Sequence, residues 1–129
     1  MQRFTAPGLF APPDYAHAAV VEAGERLVFT AGSVPLDPSG AVVEGLEAQT
    51  RQVLANLDEA LREAGSELAK VVNSTVYVVA SEPEELSRVW EIVRASPLAA
   101  GPHTSTLLGV PVLGYSGQLV EITAVAVAG

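Results

Sequence analysis

Glu121 is the residue whose setting most invites chemistry. It sits in the run Leu119-Val120-Glu121-Ile122-Thr123-Ala124-Val125-Ala126. Strand alternation would place Leu119, Glu121, Thr123, Val125 and Val127 on one face. A carboxylate among apolar residues is costly to bury. Either it handles a proton or orients a water, or it is bonded to backbone or to a neighbouring subunit at an interface. Other chemistries find less support. Ser105 and Thr106 offer hydroxyls, but no His–Asp pair accompanies them, so nucleophilic catalysis is not expected. The chain has no Cys, which removes disulfides, zinc-thiolate sites and a thiolate nucleophile. The two His, His17 and His103, and the scattered carboxylates have no metal-ligand spacing. Gly114-Tyr115-Ser116-Gly117 reads as a hairpin turn rather than a phosphate loop, because no helix follows it.

The elements that must position these groups follow from periodicity. Residues 17–22 and 26–31 are rich in β-branched and apolar types on either side of Gly24, and read as a hairpin. Asp37-Pro38-Ser39-Gly40 is a turn, with a short strand stub expected at 41–43. Over 46–64, Val53, Leu54, Leu57, Ala60, Leu61 and Ala64 recur at spacings of three and four, the stripe of an amphipathic helix, with Gly65 placed to end it. Residues 71–79 are β-branched enough for a buried strand. Ser81-Glu82-Pro83-Glu84 has the form of a capping box opening a second helix. Its inner face would be Leu86, Val89, Trp90 and Val93. Two more strands are expected at 104–110 and 119–128, joined across residues 113–117.

This order predicts an α+β domain, a mixed sheet with both helices packed on one face. The other face would be apolar and uncovered, with Val71 and Val79 contributing to it, and would call for a partner. A second copy of the chain is the simplest one.

Composition narrows the function classes. One hundred and twenty-nine residues suit a single domain spanning 1–129. With 49% apolar residues and only 5% aromatic, the core must be built from Val, Leu, Ile and Ala. No apolar run is long enough for a membrane helix, and the first fifteen residues lack the continuous apolar region of a signal peptide. A cytoplasmic location is the expectation, compatible with the absence of Cys. The formal charge of −8 disfavours nucleic acid, since a phosphate backbone is held by Lys and Arg.

Four segments resemble one family throughout. Gln49-Thr50-Arg51-Gln52-Val53-Leu54-Ala55-Asn56-Leu57 is similar to its Q-T-x-Q-x-L-x-N-L helix. Val71-Val72-Asn73-Ser74-Thr75-Val76-Tyr77-Val78 is similar to its V-V-K-T-T-V-Y-V strand. Phe29-Thr30-Ala31-Gly32-Ser33-Val34-Pro35 resembles T-S-G-Q-x-P, and the run around Glu121 resembles L-V-E-I-E-A-I-A. In order and at matching spacing, these segments resemble the RidA (YjgF/YER057c/UK114) family. The resemblance implies a chorismate-mutase-like fold, a homotrimer whose sheets close into a central barrel, and ligand clefts between subunits. It implies hydrolysis of reactive imines and enamines to 2-oxo acids and ammonia, with no cofactor. It gives Glu121 a water- or proton-handling role. Tyr15, which resembles the tyrosine of G-P-Y, would line the cleft or pack the N-terminal segment. Ser33 would offer its backbone to the cleft or be an ordinary turn residue.

One departure bears on substrate. The family's deaminases grip a carboxylate with Arg in P-x-R-S/T, a two-pronged charge-assisted bond. Here the segment is Pro102-His103-Thr104-Ser105-Thr106, with Thr104 in the arginine's place, and there is no Arg between 95 and 129. The substrate-binding candidates are therefore Tyr15, Ser33, His103, Thr104 and Ser105. His103 or a neighbouring subunit's Arg is the available substitute. The expected activity on 2-imino acids is weak or absent. A non-catalytic metabolite-binding or regulatory trimer is the alternative. An endoribonuclease is disfavoured by the acidity and by the lack of a His pair.

Overall fold

The computed structural model describes residues 1–129. Its longest strands are β4 (Val71–Val79) and β6 (Val120–Ala128), with burial that alternates along β6 and, from Asn73 onward, along β4. They pair antiparallel at the centre of a four-stranded sheet ordered β3-β6-β4-β5, where β3 is Arg26–Phe29 and β5 is Thr104–Val110. The β4–β5 pair is parallel. A parallel neighbour requires a crossover, and helix α2 (Pro83–Arg94) supplies it. Helix α1 (Leu46–Glu63) packs beside α2 on the same face.

Burial draws the core between these layers. Val53, Leu54, Leu57 and Leu61 of α1 meet Val89 and Val93 of α2 over Val76, Val78, Val120 and Ile122 of the sheet. The amphipathic stripe thus placed both helices as expected. The end of α1 follows the sequence signal closely. Gly65 adopts φ +83°, the Gly65 N–H donates to the Arg62 carbonyl, and the Ser66 N–H donates to the Leu61 carbonyl. These two bonds satisfy carbonyls that the last turn would otherwise leave open.

Several expectations are corrected. Residues 17–22 and 26–31 do not form a hairpin. Gly24 does turn the chain, but β2 (Ala18–Val20) pairs with β1 (Gln2–Phe4), while β3 pairs with β6. In β3, Val28 has core partners to pack against, and β6 provides the free edge beside them. Strands β5 and β6 are not hairpin partners across residues 113–117 either, since β4 lies between them. The capping box of α2 sits one residue later than read. Glu82 is the N-cap, and Glu85 closes the box. The expected stub at 41–43 is a single bridge, Val42 to Leu36.

The face away from the helices carries no covering element and is less uniformly apolar than expected. Register assigns its rows. Leu27 lies beside Val127, and Phe29 beside Val125. Thr106, Thr75 and Thr123 form one row across three strands, and Leu108, Tyr77 and Glu121 form the next. Val71, expected there, points into the core instead, because a bulge between Val71 and Asn73 shifts the alternation. The open face is thus apolar toward β3 and hydroxylated in the middle.

Candidate functional site

Strand alternation grouped Glu121 with Thr123, Val125 and Val127, and the structure puts that row on the open face, with the fully buried Val120 and Ile122 turned to the helix side. Its carboxylate is held from two directions. The Gln118 side chain donates from Nε2 to Glu121 Oε1 at 3.0 Å and to the Val120 carbonyl at 3.1 Å. Gln118 Oε1 accepts the Tyr115 backbone N–H at 3.0 Å. That N–H can only donate, so the amide oxygen must face it and the amide nitrogen must face Glu121. Gln118 is 3% exposed, so the arrangement is screened from water.

The second direction is Gly32. Any side chain at position 32 would overlap Glu121 Oε2. The carboxylate occupies the space a Cβ would fill, which is the close approach that glycine permits. Residues 30–36 are fixed against β6 and α1 to make this contact. Ser33 exchanges backbone bonds with Ile122, and its hydroxyl donates to the Val53 carbonyl at 2.7 Å. The Asn56 amide donates to the carbonyls of Val34 and Leu36 at 2.9 and 2.8 Å. On the far side, the buried Gln49 of α1 donates to Gly117 and accepts from Leu119, which anchors the loop that carries Gln118.

The other candidates fall in three places. Thr104 shares the open face with Glu121. Its hydroxyl donates to the Val72 carbonyl at 2.8 Å and accepts from the Asn73 amide at 3.0 Å. Tyr15 and Ser105 lie together on the helix side of the sheet, in a cavity of about 220 Å³ lined also by Pro13, Asp14, Trp90 and Leu107. There the Trp90 indole N–H donates to both Asp14 oxygens, at 3.1 and 3.2 Å. Thr104 and Ser105 are consecutive on β5, the free edge of the sheet, so the two groups share an edge and differ in face. Ser33 reaches the Glu121 neighbourhood by backbone only, since its hydroxyl is committed to α1.

His103 stands apart from both groups. It is 1% exposed, and its Nε2 lies 2.7 Å from the Ser74 hydroxyl on the core side of β4. Burial, and then the positive charge of Arg3, push its pKa down to about 4, against a smaller opposing effect from the Gly101 carbonyl. The ring is therefore neutral near pH 7 and faces away from Glu121. It supplies no cation on the Glu121 face.

No Arg or Lys of this chain pairs with Glu121. Arg3 donates to the carbonyls of Ala69 and Val71. Arg26 is on β3 but alternates with Leu27 and Phe29, away from the open face. Arg51 and Arg62 are on α1, Arg88 and Arg94 on α2, and Lys70 in the short helical turn before β4. Gln118 and Gly32 were not among the sequence candidates. Gly32 had a weak signal, in the segment Ala31-Gly32-Ser33. Gln118 had none beyond lying three residues before Glu121.

Comparison with known proteins places these features in context. The family model described as Endoribonuclease L-PSP matches residues 9–128. The mouse 2-iminobutanoate/2-iminopropanoate deaminase is 31% identical over 128 residues, covering 96% of this chain and 87% of that protein. A RutC family protein of Pyrococcus abyssi is 43% identical, but over 55 residues that span 43% of its length. The Salmonella typhimurium 2-iminobutanoate/2-iminopropanoate deaminase is 42% identical over 53 residues, which cover 41% of that protein. Among solved structures, the Rid-family protein YyfB of Yersinia pestis, of unknown function, superposes with a TM-score of 0.83 at 36% identity. That likeness covers 97% of each chain. A Thermotoga maritima protein described as a putative endoribonuclease gives a TM-score of 0.72 at 30% identity, covering 100% and 99%. With the helix–sheet order, the Glu121 strand and a model match over nearly its whole length, the chain belongs to the Endoribonuclease L-PSP family, which is the RidA (YjgF) family.

Proposed function

We propose that this protein is a RidA-type homotrimer that hydrolyses a small imine or enamine in clefts between subunits, with Glu121 handling the water and proton. The observation that carries the reading is the fixed carboxylate of Glu121 on an uncovered sheet face, one oxygen engaged by Gln118 and the other against Gly32. Imine hydrolysis needs little more than an oriented water and a proton acceptor. In the trimer the open faces of three sheets would close into a barrel, which would cover Leu27 and Phe29, now 44% and 73% exposed. Thr104 would face the cleft from β5, and Tyr15 and Ser105, on the helix side of the sheet, would reach it only around that free edge. No metal or organic cofactor enters this chemistry.

Thr104 in the arginine's place makes 2-imino acids poor substrates. A charge-assisted hydrogen bond contributes about 1.5–3 kcal/mol. A carboxylate left unpaired in a closed cleft costs roughly 3–5 kcal/mol. The loss is about a hundredfold to a few thousandfold in affinity. The open face also lacks the cations that an RNA backbone requires, so ribonuclease activity is not the reading supported.

The test supplies 2-iminopropanoate, generated in place by a serine dehydratase, and follows ammonia release. The wild-type protein should barely exceed the uncatalysed rate. Thr104→Arg, which restores a cation on the Glu121 face, should raise the rate at least tenfold. Fast release by the wild type would overturn the claim about the arginine. No gain in Thr104→Arg, with Glu121→Ala equally without effect on any imine, would favour the metabolite-binding trimer.

A further inference from the structure

We infer that the Glu121 site takes a cationic substrate without a carboxylate, a protonated imine whose nitrogen is held by the Glu121 carboxylate, and that Gln118 is the positioning residue that aims it. The inference rests on the hydrolytic reading above and names its substrate class.

Three observations carry it. The first is charge. Glu121 is the only ionisable carboxylate or cation at a strand position of the open face, and no Arg or Lys pairs with it. Tyr77 and Leu108 lie in its own row, and the hydroxyls of Thr123, Thr75 and Thr106 in the next. Such a surface repels a carboxylate and attracts a cation.

The second is orientation. The Gln118 amide is locked by the Tyr115 N–H on one side, so its nitrogen can only donate to Glu121. Oε1 is thereby occupied. Oε2 receives no bond from within the chain and lies against Gly32, so its capacity to accept a hydrogen bond is unspent. The third is rigidity. Gln118 and Gln49 are both buried, each bonded at its amide oxygen and its amide nitrogen, so the carboxylate is presented by a fixed shell rather than by a mobile loop.

The chemistry balances with these groups alone. The protonated imine docks with its N–H against Glu121. A water oxygen adds to the imine carbon, the C=N π pair moves to nitrogen, and Oε2 takes the proton the water gives up. The neutral carbinolamine then receives that proton on nitrogen from Glu121. An oxygen lone pair closes the C=O bond as the C–N bond breaks, the leaving pair stays on nitrogen, and the Glu121 carboxylate takes the hydroxyl proton and passes it to the departing amine. The products are a carbonyl compound and an ammonium ion, and Glu121 ends as the carboxylate it began as. One water is consumed, and no oxidant or reductant is needed.

The test uses the full-length protein and two stable probes, pyrrolidinium for the cation and 2-oxobutanoate for the carboxylate, with binding followed by amide NMR shifts. Hydrolysis is followed separately on the protonated N-methylimine of acetone. Pyrrolidinium should shift the amides of Gln118, Glu121 and Thr123, and 2-oxobutanoate should not. Glu121→Gln keeps the shape and removes the charge, and should weaken pyrrolidinium binding about tenfold to a hundredfold, the range of one charged hydrogen bond. Gln118→Leu should weaken it severalfold in the wild type and have no further effect in Glu121→Gln. That non-additivity belongs to a residue acting through Glu121, whereas a merely structural role would add. Pyrrolidinium binding without acceleration of the N-methylimine upholds the cation site and overturns the hydrolytic reading. Binding of 2-oxobutanoate at Glu121, with hydrolysis of 2-iminopropanoate, overturns the cation inference and leaves the hydrolytic reading standing. Failure of both probes and both imines overturns both.

Discussion

At the scale of single residues, His103 and Glu121 show how neighbours decide what an ionisable group can do. His103 is buried beside the Arg3 guanidinium, with a pKa pushed down to about 4. Its folded value lies below the ordinary 6.5, so the unfolded chain takes up this proton more readily than the folded one. Stability associated with His103 is whole above about pH 6.5. It falls as the pH drops toward 4, by roughly 3 kcal/mol in all. Urea unfolding at pH 7 and at pH 4.5 should show this loss in the wild type, and His103→Gln should show much less of it. Equal losses in both proteins would place the acid sensitivity elsewhere. Nothing in the local sequence hinted at this, since His103 precedes a strand and its orientation depends on where Ser74 and Arg3 fall in the fold. Glu121 was legible in part, because strand alternation sets which residues share its row, but which side of the sheet that row faces depended on where α1 and α2 packed. Gln118 was not, because its importance comes from a hydrogen bond whose geometry depends on the turn of residues 115–118.

At the scale of elements, local signals with their own geometry could be read, and pairings could not. The stripe of α1 and the glycine that ends it are written within a few residues, and the structure follows them. Gly65→Ala should destabilise the fold by about 1–2 kcal/mol, the cost of a left-handed residue with a Cβ. Chemical denaturation would measure it, and an unchanged midpoint would mean that the end of α1 refolds around the new residue. The hairpin reading around Gly24 failed for a different reason. Adjacent strands in a sequence often pair, but here β3 gains more by laying Val28 onto the core beside β6, which frees β2 for β1. That choice rests on contacts with β6, at the far end of the chain, and no short window of sequence contains it. The parallel β4–β5 pair was likewise hidden until the helix between them was seen as a crossover.

At the scale of the whole molecule, the two faces of the sheet have separate tasks. One is sealed by α1 and α2, and the other carries Glu121 and remains uncovered. The proposed trimer would bury the second face, with its apolar side at Leu27, Phe29, Val125 and Val127. Phe29→Asp should therefore shift the protein toward the monomer in sedimentation while leaving its circular dichroism unchanged, since Phe29 contributes little to the core of its own subunit. A trimer that survives this change would move the interface away from β3. The sequence indicated an uncovered face but overstated its apolarity, because the bulge after Val71 turns that residue inward.

The connection from β5 to β6 passes over the end of β4, and this has an evolutionary consequence. Its middle is free to lengthen or shorten, because neither flanking strand pairs with the other. Its last residues are not free, since Gln118 must arrive three positions before Glu121 with its amide turned toward it. A lineage could thus exchange the chemistry offered to a ligand by remodelling one surface connection, while every strand, helix and core contact stayed the same. Relatives compared by their strands alone would then look interchangeable while differing in what they accept.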